Sequence, residues 1–411
     1  MAQRVAQVSE HLTSKSGPSF GKIGHKNADD VVIVSAVRTA ITRSKGGGFA
    51  GVHPEELLAA TLKGVSDRVG IDKKLVEDIH VGNVRLPGAG AGLARMAMLK
   101  AGYPNDTSVM ALNRQCSSGL QAIANIAGEI KSGVIDIGIG AGVESMGQDT
   151  GTPGDAIPPK DWVKTPGEIQ DCLLPMGITS ENVAKIYKVD RAKQDAFAAA
   201  SYDKANKAQK AGLFKEEIIP VEVTKPDGSK VIVDRDDGIR PTTLEQLSKL
   251  RPAFTPEGAS TAGNSSQVSD GSGAVLLARR SVAEKLGLPI IGKIVTFAVA
   301  GVPPKVMGIG PAFAIPKALS KAGISVSDVD IYEINEAFAS QAVYSVEVLG
   351  IDPKKVNPKG GAIAIGHPLG ATGARQISTL FTELKRTNKR IGVTSMCIGS
   401  GMGAAAVFER E

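Results

Sequence analysis

SVMALNRQCSSGLQAIANIAGEIKSGVIDIGIGAGVESM, residues 108–146, decides the reading of the fold. SVMALNRQ is a short, mostly apolar run that predicts a strand. SGLQAIANIAGEIKSG reads as a helix, and IDIGIGAGVESM as a second, nearly continuous apolar strand. Strand, helix and strand in so short a span make a β-α-β unit, the signature of a mostly parallel sheet. Cys116 sits at the first junction, among polar neighbours unusual for a buried structural cysteine.

The alternation extends in both directions. Upstream come the strand DVVIVSAVRTAI, the helix PEELLAATLKGVSDRVG, the strand VEDIHVGNVRL and the helix GLARMAMLKAG. From residue 289 the same plan repeats: strand IIGKIVTFAVAG, helix IGPAFAIPKALSKAG, strand VDIYEI and helix EAFASQAVYSVEVLG. A Gly-rich loop, NPKGGAIAIGHPLGATG, then leads to helix ARQISTLFTELKRTN and two strands, IGVTSMC and GAAAVFER. Two halves with one plan suggest an ancient duplication with a site at their seam.

Residues 151–250 change character. WVKTPGEIQ reads as a loop, and the following segment as two helices, the first entered through Thr179/Ser180 with Glu181 behind. A charged strand pair turns at Pro226-Asp227-Gly228. The organisation expected is a tail over 1–28, a first core half over 29–150 completed by about 251–288, a loop (cap) domain over 151–250, and a second core half over 289–411.

The bulk numbers fit such an enzyme. The chain has 411 residues, 42% hydrophobic and 22% charged, with aromatics at only 4%. Its net charge of +6 mildly favours anionic partners. No basic block with interleaved aromatics points to nucleic acid, and no apolar run has transmembrane length. The three cysteines, Cys116, Cys172 and Cys397, form no C-x-x-C and no Cys/His cluster, so no metal site is expected. An odd, low count fits a reducing compartment. The tail is polar, but Arg4, Val5, Val8, His11 and Leu12 could share one face of a short helix. It is too short and polar for a secretory signal.

Four residues could carry chemistry, each at a strand end or on a Gly-rich loop. Cys116 opens a helix, where free N–H groups and a partial positive charge would lower its thiol pKa; a small buried cysteine is the other reading. Cys397 leads into C-I-G-S-G-M-G, whose glycines could aim N–H groups at one point as an oxyanion hole. His367 lies in AIGHPLGATGAR, a poor place for core filler. Asn335 in EINEAF is either a helix N-cap or an amide pointed into the site. Cys172 is read as structural, and His80, alternating within a strand, as structural or surface. A thiol, a base and an oxyanion hole are the parts nucleophilic catalysis needs.

NRQCSSGLQA, NEAFASQA, GGAIAIGHPLGATGAR and SMCIGSGMGAA resemble the motifs of the thiolase family, and VVIVSAVRTAI, GNV and LRPAFTPEGASTAGNSS fit it as well. The resemblance covers the chain from about residue 30 to the end. It implies an α/β thiolase fold: a five-layer α-β-α-β-α core of two similar halves with an inserted loop domain. It also implies cleavage of a 3-ketoacyl-CoA by CoA, with CoA as co-substrate and no tightly bound cofactor. By motif match, Cys116 becomes acylated, His367 activates it, and Cys397 is the acid/base. Asn335 would hold a water that, with His367, stabilises the thioester oxyanion. The N–H groups of Cys116 and Gly399 would form the second oxyanion hole. Ser266 matches a pantetheine contact, and Met176, Phe254, Ala262, Ala337 and Phe338 are implied around the substrate. A homodimer is the implied assembly.

Two departures matter. Pro175 stands where short-chain biosynthetic members have a His, which favours a degradative enzyme of fatty-acid β-oxidation. Ser400 stands where many members have a third glycine, and fits there unless its φ is positive. Attached to such an enzyme, Arg4, Val5, His11 and Leu12 resemble the type-2 peroxisomal targeting signal. The implied location is the peroxisome matrix, and the implied partner an import receptor. The alternatives are an acetoacetyl-CoA thiolase working as a condensing enzyme, a non-catalytic CoA- or lipid-binding module, and a redox dithiol protein cycling a Cys116–Cys397 disulfide. A decarboxylating condensing enzyme of the same fold fits less well, because it would not need the second cysteine.

Overall fold

The computed structural model describes residues 19–148, 159–225 and 227–411. Arg4, Val5, His11 and Leu12, and Pro226 of the expected turn, lie outside the described residues. In chain order the strands are β1 (Val31–Arg38), β2 (Thr42–Arg43), β3 (Asp78–Gly82), β4 (Ser108–Leu112), β5 (Ile137–Ser145) and β6 (Val221–Thr224). They continue with β7 (Lys230–Val233), β8 (Ser269–Arg279), β9 (Gly292–Gly301), β10 (Ile331–Ile334), β11 (Ile391–Ile398) and β12 (Met402–Arg410).

Two sheets of similar plan are joined edge to edge, in the order β10-β11-β12-β9 and β1-β8-β5-β3-β4. The seam is thin, for β1 meets β9 only at Val32↔Lys293 and Ile33↔Gly292. The sheet is mixed, where the sequence predicted mostly parallel pairing. β3/β4, β3/β5 and β10/β11 run parallel. The β5/β8, β1/β8, β11/β12 and β9/β12 pairs run antiparallel. The physical reason is connectivity. A helical crossover returns a strand parallel, whereas β11 and β12 are joined by three residues and must reverse.

Strand alternation builds two cores from one set of strands. Val31 and Ile33 of β1, and Val275 and Leu277 of β8, face one cluster, while Val32, Val34 and Leu276 face another. The first cluster also holds Leu120, Ile123 and Ile130 of the helix Ser118–Ser132, and Ile377, Leu380 and Leu384 of the helix Thr372–Arg386. Ala404, Ala406 and Phe408 of β12 complete it from the other half, while Ala405 and Val407 turn to a third cluster under the helix Gly310–Ala322. Both central helices are therefore sandwiched between sheets, with further helices outside. That is an α-β-α-β-α stack.

The intervening segment differs from its sequence reading in two places. Lys160–Lys164 and Glu168–Asp171 are short helices, where a loop was expected. The first long helix starts at Met176 behind Pro175, not at Thr179/Ser180. Pro presets the entry, and the polar side chains serve elsewhere: Ser180 Oγ bonds to Ser260 Oγ and Ser340 Oγ, each at 2.7 Å. The Glu181 carboxylate accepts from the Ala259 and Ser260 N–H groups.

A buried ion network clamps this segment to both halves. Arg38 of β1 donates to Glu217 at 2.8 Å and to Asp236 at 2.7 Å, and Lys359 donates to Glu217 at 2.8 Å. Burial works against ionisation, yet Lys359 and Arg38 hold the Glu217 carboxyl down at about 2.

Candidate active site

Cys116 lies in a single turn, Gln115–Ser117, between β4 and the helix Ser118–Ser132. Gln115 takes φ +48 to make that turn. Its N–H donates to Asn113 Oδ1 at 2.7 Å, and its carbonyl accepts from Ser118 Oγ at 2.6 Å. The thiol is not pre-ionised, contrary to the sequence expectation. Desolvation pushes it up to about 11; the N–H groups of Gly399 and Cys116 itself face the sulfur and pull downward without cancelling it. A helix N-terminus offers only a few N–H groups, while burial removes the water that would solvate a thiolate. At neutral pH Cys116 is a thiol that needs a base.

His367 is the histidine whose loop reaches the Cys116 helix. The loop carrying it packs directly on the Cys116 helix and on β5. A Cβ on Gly119 would stand 2.5 Å from the Gly370 carbonyl oxygen, and one on Gly142 2.1 Å from it. Only glycine permits this approach. The imidazole is 5% exposed, and its pKa is pushed down to about 3 by desolvation, with the Arg375 guanidinium adding to the effect. It is therefore neutral.

Its tautomer follows from a chain of bonds anchored on a carbonyl. Thr372 Oγ1 donates to the Pro368 carbonyl at 3.2 Å. With that proton on the carbonyl, Oγ1 accepts at 2.7 Å from His367 Nδ1, which then carries the ring hydrogen, the tautomer in which Nε2 can serve as a base. Nε2 then holds a lone pair and accepts from Asn335 Nδ2 at 3.2 Å. Asn335 is fixed in turn: its N–H donates to the Ser395 carbonyl at 2.8 Å, and its carbonyl accepts from Gln341 Nε2 at 2.7 Å. Asn335 Oδ1 is buried without a donor among the described residues.

Cys397 ends β11, fully buried against Met307, Ala337 and Phe338. Desolvation, with the charge of a Cys116 thiolate next, raises its thiol well above the usual range, so it holds its proton. Gly399 follows, and a Cβ there would stand 1.8 Å from Gln115 Oε1. Ser400 does take a positive φ, +57, and so occupies the conformation glycine would favour. Glu144 ties the neighbouring loops together. Its carboxylate accepts from the N–H groups of Val84, Arg85 and Gly370 at 3.0 to 3.1 Å, and from Asn83 Nδ2 at 3.1 Å. Burial, outweighing those donors, moves its pKa up to about 7.

The remaining candidates line an adjacent wall. Phe254 meets Phe338 edge to face at 5.9 Å and lies over Gly177, beside Met176. The Ser266 N–H donates to the Ala337 carbonyl at 3.0 Å, which fixes the segment before β8 beside the Asn335 loop. Met176, Phe254 and Ala262 are exposed, whereas Ala337 is buried. Cys172, expected to be structural, is exposed at the end of the Glu168–Asp171 helix. His80 is buried and pairs with Glu129 at 3.2 Å, near the far end of the Cys116 helix. Thr372, Gln115 and Glu144 escaped the sequence reading. The only signals they carried were adjacency to Cys116, in the case of Gln115, and a position on the loop after His367, in the case of Thr372.

Residues 31–281 match the thiolase N-terminal domain and residues 288–410 the thiolase C-terminal domain. The chain belongs to the thiolase family. Among its relatives, this thiolase is 55% identical to 3-ketoacyl-CoA thiolase B, peroxisomal, of Rattus norvegicus, over 99% of each chain. The dimeric peroxisomal thiolase of Saccharomyces cerevisiae superposes with a TM-score of 0.89 at 52% identity, covering 94% of this thiolase and 99% of that one. A second structure, of the peroxisomal 3-ketoacyl-CoA thiolase of the same yeast, gives a TM-score of 0.79 at 47% identity, over 95% and 100% of the two chains. It is described as five-layered, A-B-A-B-A, from two core domains of identical topology, the stack seen in this thiolase.

Proposed function

We propose that this thiolase cleaves 3-ketoacyl-CoA with free CoA, giving acetyl-CoA and an acyl-CoA two carbons shorter, as the last step of peroxisomal fatty-acid β-oxidation. The observation that carries the reading is the neutral His367, whose Nε2 lone pair is fixed by the Thr372 bond on its other nitrogen. His367 takes the Cys116 proton, and the sulfur attacks the 3-keto carbon. The N–H groups facing Cys116, its own and that of Gly399, receive the alkoxide. The C2–C3 bond then breaks, its electron pair stays on C2, and the Cys397 thiol supplies the proton that makes acetyl-CoA. The Cys397 thiolate next deprotonates incoming CoA, whose sulfur attacks the Cys116 thioester and frees the shortened acyl-CoA. Asn335 and His367 stabilise, through a water, the thioester oxyanion of the departing acetyl-CoA enolate, and the protonated His367 finally returns its proton to the Cys116 thiolate. Two thiols are needed because one is nucleophile and the other proton carrier.

Ser266 contacts the pantetheine arm, and Met176, Phe254, Ala262, Ala337 and Phe338 surround the thioester end. Residues 151–250 act as a cap over two core halves, 29–150 with 251–288 and 289–411. The enzyme is a homodimer with CoA as co-substrate and no resident cofactor. Arg4, Val5, His11 and Leu12 address it to the peroxisome matrix through an import receptor.

The test is thiolysis of a medium- or long-chain 3-ketoacyl-CoA by wild type, Cys116→Ser and Cys397→Ser. Equal activity in all three sinks the mechanism. A chain-length profile confined to acetoacetyl-CoA would instead favour the condensing thiolase. For the address, Arg4→Glu should leave activity intact and strand the protein in the cytosol; unchanged import refutes it.

A further inference from the structure

Two residues of this site hold a left-handed backbone without being glycine, and they touch. Gln115, immediately before the nucleophile, has φ +48, and Ser400, in the loop after Cys397, has φ +57. Gln115 Nε2 donates to Ser400 Oγ at 3.2 Å, and Ser400 Oγ donates to the Gly399 carbonyl at 2.6 Å. On its other side the Gln115 carboxamide meets Gly399 through its Oε1, which occupies the space where any Cβ would go. A non-glycine residue in this conformation carries steric strain between its Cβ and the backbone that glycine escapes. Glycine at 400 would adopt the same φ without that strain, so the serine hydroxyl is the feature retained at its expense.

We infer that Gln115 and Ser400 are a positioning pair that locks the Gly399 N–H onto the Cys116 sulfur, fixing the spacing of the oxyanion hole. The two N–H groups of that hole come from different halves of the chain, Cys116 from the first and Gly399 from the second. The joined loop has only Gly399, Ser400 and Gly401 between β11 and β12. Gly401, at φ +95, is held by its carbonyl, which accepts from the Val302 N–H at 2.8 Å, and Gln115 supplies the contact with the first half. Gln115 crosses the gap and grips both Gly399, by contact, and Ser400, by its hydrogen bond. With the grip released, the Gly399 N–H wanders relative to an alkoxide that forms only after attack. The loss would therefore appear in the chemical step. This inference rests on the thiolysis reading for its chemistry, but its logic predicts a signature that reading does not.

The test compares wild type, Ser400→Gly, Gln115→Met and the double variant in thiolysis, with thermal unfolding of each and Cys116→Ser as the inactive control. Ser400→Gly removes the hydroxyl and relieves the strained φ. Its kcat should fall about tenfold, part of the loss expected on removing an oxyanion donor outright, while its Tm stays level or rises. The KM for the ketoacyl-CoA should stay within about twofold, because the alkoxide is absent from the ground state. Gln115→Met should show a similar fall, and the double variant no further fall, since both residues serve one contact. A Ser400→Gly enzyme with wild-type kcat overturns the pair. So does a fall in kcat that tracks a fall in Tm, which marks a merely structural role, and so do multiplicative losses in the double variant. Absence of thiolysis in wild type overturns the underlying reading and takes the pair with it.

Discussion

Replacing Thr372 by Val tests the step on which the chemistry turns. Valine keeps the shape of threonine and removes only the hydroxyl. In the folded enzyme that hydroxyl accepts from His367 Nδ1 at 2.7 Å, in a site where Thr372 is fully buried and the imidazole 5% exposed. Without it, His367 has two options. The proton can stay on Nδ1 as a buried donor with no partner, at a penalty of about 1–3 kcal/mol. Or it can move to Nε2, which abolishes the lone pair that receives the Cys116 proton and sets an N–H against the Asn335 amide. Either route withdraws the competent tautomer by a similar free energy, so kcat should fall by about 10- to 100-fold. KM should change little, since Thr372 is buried behind the imidazole. The assay is steady-state thiolysis of a medium-chain 3-ketoacyl-CoA at saturating CoA, with thermal unfolding to confirm the fold. Thr372→Ser keeps the hydroxyl and should stay within about threefold of wild type, a loss smaller than that of one uncharged hydrogen bond. The reasoning fails if Thr372→Val turns over like wild type. It fails equally if Thr372→Ser is as impaired as Thr372→Val, because packing of the methyl would then be responsible.

Other perturbations have equally definite outcomes. Gly119→Ala drives a Cβ to 2.5 Å from the Gly370 carbonyl, so the His367 loop must move; both Tm and kcat should drop, and a wild-type kcat would show that the loop tolerates the shift. Glu217 is held at about 2 in the folded chain against 4.5 for a free carboxyl, so its stabilising contribution is complete above pH 4.5 and is lost as pH falls toward 2. Urea unfolding at pH 7, 4 and 3 should show the stability advantage of wild type over Glu217→Gln shrinking by about 2 kcal/mol at pH 3; a constant difference would place the Glu217 pKa elsewhere. Cys397→Ala should still form an acyl-enzyme with an acyl-CoA, detectable by mass, yet fail to complete thiolysis. Full turnover would remove Cys397 from proton transfer.

The parts that were legible in the sequence share a local origin. Strand and helix periods follow from which side chains must be covered, so the alternation around residues 108–146 showed β-α-β units and its repeat from residue 289 the two-half plan, while the layers were implied by the family resemblance. Cys116, His367, Cys397 and Asn335 stood out because a reactive type sat on a junction or a Gly-rich loop. What failed had a non-local cause. Ser180 and Glu181 looked like a helix start because capping residues do, but Ser260 and Ala259 claimed their hydrogen bonds from 80 residues away or nearly so. A mostly parallel sheet was expected, but β8 and β12 run antiparallel to their neighbours, because a strand's direction depends on where the preceding segment leaves it.

The sequence by itself determined the α/β alternation and the family, and it singled out four candidate side chains, since each of these is written in residue type and spacing. Only the tertiary structure decided their states. Cys116 was expected to be an acidic thiol at a helix N-terminus, and desolvation between the two halves makes it a weak acid instead. Histidine was read as a base, but which nitrogen bears the lone pair depends on Thr372 and the Pro368 carbonyl. Ser400 could be judged only once its φ was known, and its meaning came from Gln115, 285 positions earlier in the chain. Protonation, tautomer and strain are set by neighbours in space, and a linear sequence holds no record of the distances that fix them.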